Sequence, residues 1–195
     1  MNHDQFYSFA FRGLLTQEAL EKEGHSQKAN YKAEWEMETS KRLGIPSLDE
    51  ELVTKSRKMS LVYTAICAFE NSVREFVAKK LFEEKGANWW ELCVHKEIRD
   101  KAENRKKAEK DIRWLTPRGG SMIYYTEFGD LISIIAKPGN WVFFEVHIGS
   151  SIDWAKQIIT TLEKSRNIIM HSGELAPTDI ERIGMFIRDW SRQVG

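Results

Sequence analysis

The chain has 195 residues, 42% of them apolar and 30% charged, with 29 basic and 29 acidic side chains and a formal net charge of zero. That length supports one good-sized core, or one domain with an appended helical segment, and a zero balance gives by itself no case for nucleic-acid binding. No apolar run approaches the length of a membrane span, and the residues after Met1 are polar and acidic where a signal peptide is basic and then apolar, so a cytoplasmic protein with no membrane partner is expected.

Phe6, Phe9, Ala10, Leu14 and Leu20 form a loose helical stripe over residues 2–23, closed by Gly24. Residues 27–43 carry Ala29, Ala33 and Met37 among charges, the pattern of a weakly packed helix or arm. Gly44-Ile45-Pro46-Ser47 breaks the pattern, and Ser47 with Glu50 reads as a capping box for a helix starting at Leu48. This break, together with the strong core stripe that begins at Leu61, divides the chain into an N-terminal helical extension, 1–60, and a helical domain, 61–195. From Leu61 to Lys85 the positions Val62, Ile66, Phe69, Val73, Phe76 and Leu81 trace a core helix ended by Gly86. On its flank Glu70 and Arg74 are four apart, the spacing of a surface ion pair; the alternative is that Glu70 reaches a cation on a neighbouring helix and holds it in place.

Trp89 to Trp114 reads as one basic helix with a sparse apolar face of Leu92, Cys93, Ile98, Ala102 and Ala108. Between Lys96 and Arg118 there are nine Lys or Arg against five Asp or Glu. Arg99, Lys101, Arg105, Lys106 and Arg118 are therefore candidates to meet an RNA backbone, although the interleaved acids equally suit an internally paired helix face. Thr116-Pro117-Arg118-Gly119-Gly120 reads as a loop. Met122 to Thr126 has the composition of a short strand, Glu127 to Ala136 reads as a helix with Thr126 as cap, and Asn140 reads as the cap of a helix holding Trp141 and Phe144. Cys67 and Cys93 have no Cys or His at metal-ligand spacing and read as reduced core thiols.

The most regular helix follows. Trp154, Ile158, Leu162, Ser165 and Ile169 recur at intervals of three and four. At about 100° per residue, Asn167 lies about 100° and His171 about 140° from Arg166, so three polar groups share one arc beside the apolar stripe. Ser172-Gly173 offers the stop, with Gly173 as the residue suited to the left-handed conformation. A last helix, capped by Thr178 and Glu181 after Pro177 and buried through Ile180, Ile183, Ile187, Trp190 and Val194, should pack antiparallel on its predecessor.

An imidazole that titrates near neutrality, a guanidinium and an amide on one arc suit chemistry on a phosphodiester. The same residues in this spacing also arise by chance, and a histidine at a helix end also caps carbonyls. The Arg166-Asn167, spacer, His171 pattern, with Phe69-Glu70-Asn71-Ser72-Val73-Arg74 upstream and Tyr125-Thr126-Glu127-Phe128-Gly129-Asp130-Leu131 and Asn140-Trp141 between them, resembles the HEPN superfamily over about residues 61–195. The resemblance implies an all-α antiparallel helical bundle and a metal-independent, cofactor-free ribonuclease. It implies that two protomers join their motifs in a homodimer, with His171 as acid or base, Arg166 as electrostatic stabiliser and Asn167 as orienting group; Glu70, paired with Arg74, would support that site if it reaches Arg166 across the helix interface. Toxins and phage-defence components occur among such proteins, so an antitoxin or defence partner is a further expectation. The competing reading is a helical RNA-binding or protein-interaction module that does not cut. His-Glu metalloprotease spacing, a Gly-x-Ser-x-Gly elbow and Rossmann or Walker signatures are all lacking in the sequence.

Overall fold

Apolar residues spaced three and four apart, interrupted by glycine and proline at the expected joints, leave the chain little alternative to helices. The computed structural model describes Thr16, Tyr31, residues 33–149 and residues 151–194. Among these residues every regular element is a helix. The helix expected over residues 2–23 lies outside the described residues. The second expected segment is helical over 33–42 (α1), followed by a 3-10 turn at Ile45–Ser47. Two compact units are present, Met1–Thr54 and Lys55–Gly195.

The long helix α2 runs without a break over Glu50–Lys85. It starts two residues after the expected position. Asp49 Oδ1 accepts from Leu52 N at 3.0 Å, and Ser47 turns back to the Gly44 carbonyl, so aspartate replaces the expected serine as cap. Gly86 ends the helix with φ 64°.

The basic helix expected from Trp89 to Trp114 is two helices, α3 over Trp89–Cys93 and α4 over Lys96–Lys110. The break is set by a partner distant in sequence. Val94 is extended and buried, and the Cys93 carbonyl accepts from the Asn140 side chain at 2.9 Å rather than from the next helical turn. Asn140 also donates to the Ile134 carbonyl at 2.7 Å, so its amide ties three segments together instead of capping the helix that follows it. Burial pushes the Cys93 thiol up, and both cysteines are free.

The expected strand at Met122 to Thr126 is a 3-10 turn, Met122–Tyr125. Its carbonyls bond to arginine side chains rather than to a neighbouring strand, as described below. Helix α5, Phe128–Ile135, is capped by Glu127 with Asp130, while Thr126 is buried and donates back to the Ile123 carbonyl. Helices α6, Trp141–Ile148, α7, Ile152–Met170, and α8, Pro177–Val194, complete the chain.

Three anchor points show that α2 and α7 run antiparallel: Met59 Sδ accepts from Leu175 N just beyond α7, Glu70 meets Arg166 late in α7, and Phe76 lies by Trp190, itself stacked on Trp154 early in α7. The Trp154–Trp190 stack, with centroids 5.7 Å apart and planes at 6°, also sets α8 antiparallel to α7. Phe69, Phe76, Phe128 and Phe144 close the aromatic core around this stack in edge-to-face contacts. No helix among the described residues is long and apolar enough to cross a membrane.

Candidate functional site

The site is built at the C-terminal end of α7. Ser165 is buried and Ile169 half-buried, which fixes the apolar face and turns Arg166, Asn167 and His171 away from it. The helix ends in a Schellman arrangement: Gly173 N donates to the Ile168 carbonyl and Ser172 N to the Ile169 carbonyl, both at 2.9 Å. The left-handed residue is Ser172, φ 62°, and not Gly173 as expected. Gly173 is needed for a different reason. A Cβ there would lie 2.6 Å from Ile168 Cγ2 and 2.9 Å from the Ile168 carbonyl oxygen. His171, the C-cap residue, is exposed.

Arg166 does not hang free. Its Nη1 donates to both oxygens of Glu70, at 2.8 and 3.1 Å, and its Nη2 to Asn167 Oδ1 at 3.3 Å. Glu70 also pairs with Arg74 Nη2 at 2.6 Å, and both of these side chains are only 8% exposed. The surface pair is thus a buried one. One carboxylate between two guanidiniums leaves a positive excess, and Arg166, 23% exposed, is the member that reaches the surface.

Arg74 extends the chain of contacts. It donates from Nε to the Ile123 carbonyl at 3.3 Å and from Nη2 to the Thr126 carbonyl at 2.9 Å. Arg105 on α4 reaches the same turn, donating to the Tyr125 carbonyl at 2.8 Å and to Glu127. Two arginines therefore hold the 3-10 turn by its carbonyls, and the turn in turn positions the Glu70–Arg166 pair.

The five basic residues of the α4 region divide. Arg105 is committed to the turn and to Glu127. Lys106 lies over the Tyr125 ring at 5.8 Å and donates to Met122 Sδ. Arg118 donates from N and Nε to Glu109, which also accepts a hydrogen bond from the Tyr125 hydroxyl. That bond and the Arg118 contacts hold the Glu109 carboxyl below its ordinary range, and the same bond raises Tyr125. Arg99 is half-buried, with an Nε that finds no partner, and Lys101 is exposed. Arg166 and Asn167 are brought together with Glu70 and Arg74, and His171 ends the same helix; of the candidate basic residues on α4, Arg105 and Lys106 are the two that meet the 3-10 turn.

Glu163 escaped the sequence reading. Its Oε1 accepts from Gly129 N at 2.9 Å, capping α5 from α7, and a Cβ at position 129 would lie 3.3 Å from that oxygen and 3.0 Å from Oε2. No local spacing announces such a cap, because donor and acceptor are 34 residues apart. No group of three or more His, Cys, Asp or Glu that could hold a metal ion converges among the described residues.

The chain is an all-α bundle in which a buried carboxylate anchors an arginine, with a histidine at the end of the same helix. The profile of the Swt1-like HEPN family matches residues 64–195, and the chain belongs to that family. No curated protein and no solved structure matches the chain.

Proposed function

We propose that this protein is an endoribonuclease that cuts RNA without a metal ion, with Arg166, Asn167 and His171 as its catalytic residues and Glu70 and Arg74 as the groups that position Arg166. The observation that carries the reading is the Glu70–Arg166 contact at 2.8 Å, which holds one edge of the guanidinium and leaves the rest of it at the surface, beside Asn167, in the last turn of the helix that ends at His171. A preformed cation of this kind stabilises charge that develops on phosphoryl oxygens.

In the reaction a neutral imidazole takes the proton of a ribose 2′-hydroxyl while the 2′-oxygen bonds to phosphorus. The bond from phosphorus to the 5′-oxygen breaks, and an imidazolium protonates that leaving oxygen. The products are a 2′,3′-cyclic phosphate and a 5′-hydroxyl. Each chain supplies one motif histidine, so the composite site of a homodimer provides both proton-transfer groups. A toxin or phage-defence role, with an antitoxin or defence partner, belongs to the same proposal, as does a cytoplasmic location.

The test is cleavage of unstructured RNA in EDTA by the full chain and by His171→Ala and Arg166→Ala at matched purity and oligomeric state. Cutting by the unaltered chain alone, leaving cyclic phosphate ends, is the expected result. Equal cutting by all three proteins, or cutting by none with RNA binding intact, overturns the assignment; the latter makes the chain an RNA-binding module.

A further inference from the structure

Trp114 is the most exposed tryptophan among the described residues, at 85%, whereas Trp89 and Trp190 are buried. It stands in the segment Asp111–Arg118 between α4 and the 3-10 turn. An indole placed in water on a loose tip would mean little. This loop is braced. Asp111 N and Ile112 N bond back to the Lys107 and Glu109 carbonyls, Leu115 N bonds to the Ile112 carbonyl, and Arg118 clamps the far end to Glu109 through both N and Nε. Glu109 is tied in turn to Tyr125, a residue of the same 3-10 turn whose Ile123 and neighbouring Thr126 carbonyls hold Arg74, and through Arg74 the Glu70–Arg166 pair.

The charge around the indole is of one prevailing sign. Near it in sequence Lys107, Lys110 and Arg113 are exposed, Asp111 is the one exposed acid among them, and Glu109 is already engaged by Arg118. The Arg118 contacts use its N and Nε and leave its terminal nitrogens outside them. An exposed aromatic face flanked by cations on a braced loop matches single-stranded nucleic acid, whose unpaired bases stack on rings while phosphates meet Lys and Arg. A duplex hides its base faces and offers the ring nothing to stack on.

We infer that the loop Asp111–Arg118 is a docking site for unpaired RNA, in which Trp114 stacks on a base and Lys110, Arg113 and Arg118 meet the adjoining phosphates. The inference rests on RNA being the substrate, and it makes the preferred substrate single-stranded.

The experiment measures fluorescence anisotropy of a labelled oligouridylate and of a labelled blunt RNA duplex with the full chain carrying His171→Ala, so that binding is read without cleavage. Adding Trp114→Ala should weaken oligouridylate binding by roughly tenfold or more, Trp114→Phe should restore most of it, and duplex binding should change little. The melting temperature should be unmoved, since the indole is in water. Unchanged oligouridylate affinity in Trp114→Ala, or an equal loss on the duplex, overturns the inference. A smaller sedimentation coefficient with unchanged RNA affinity also overturns it, by assigning the loop to a contact between copies. The ribonuclease reading fails separately: a full chain that never cuts RNA, yet loses oligouridylate affinity on Trp114→Ala, keeps the docking site and discards the chemistry.

Discussion

Glu70 carries two arginines on one buried carboxylate, and that fact governs what any change there does. Glu70→Gln leaves two buried or half-buried guanidiniums facing each other with no counter-charge, at an expected cost of about 3 kcal/mol in stability measured by urea unfolding. A loss below about 1 kcal/mol would show that water already screens the pair. The sequence made the Glu70–Arg74 spacing and the three motif residues legible, because spacing along one helix is periodic. It did not show the burial of the pair, which depends on α7 lying against α2. It also misassigned the left-handed residue: Ser172 takes φ 62°, while Gly173 is needed for close approach to Ile168. Glycine is enriched at such ends for either reason, and the letter alone does not tell which.

At the level of elements, the end of α7 and the loop after α4 each hang on a single contact pattern. Gly173→Ala forces a Cβ against the Ile168 carbonyl, a backbone atom that cannot rotate away, so a loss of about 1–3 kcal/mol and a displaced His171 are expected. Thermal unfolding checks the first, and the His171 ring resonances in an NMR spectrum check the second. The loop depends on ionised Glu109. Its carboxyl titrates lower in the folded chain than in the unfolded one, so the stabilisation is complete above the ordinary carboxylate range and is lost as pH falls through the folded value. The gap in melting temperature between the unaltered chain and Glu109→Gln should therefore close on acidification and stay constant from mildly acidic to neutral pH. A gap independent of pH would sink this account. Helix existence was readable from periodicity for α2, α5, α7 and α8. The break at Val94, the Asp49 cap and the 3-10 turn were not, because each is decided by partners remote in sequence: Asn140 for the break, Arg74 and Arg105 for the turn; or, at the cap, by Asp49 outcompeting an equally plausible Ser47.

For the whole molecule, the aromatic stack of Trp154 on Trp190 joins α7 and α8, and Phe69 and Phe76 bring in α2. Trp190→Ala should cost about 3–5 kcal/mol and lower the melting temperature by many degrees, whereas truncating Trp114 should leave it unchanged. Equal effects of the two would contradict the packing described. The all-α fold and the antiparallel α7–α8 pair were legible because patterned stripes and a short connection permit few arrangements; the course of the polar contacts from Glu109 to Arg166 was not, since it passes through backbone carbonyls. That last feature bears on how the fold tolerates change. Every amino acid has a carbonyl, so the hydrogen bonds that Arg74 and Arg105 make to Ile123, Tyr125 and Thr126 place no demand on the identity of those side chains. The recognition is written on one side only. Drift within the turn can keep the contacts intact as long as its shape survives, while neither arginine can become lysine without giving up the planar fork that spans several acceptors at once.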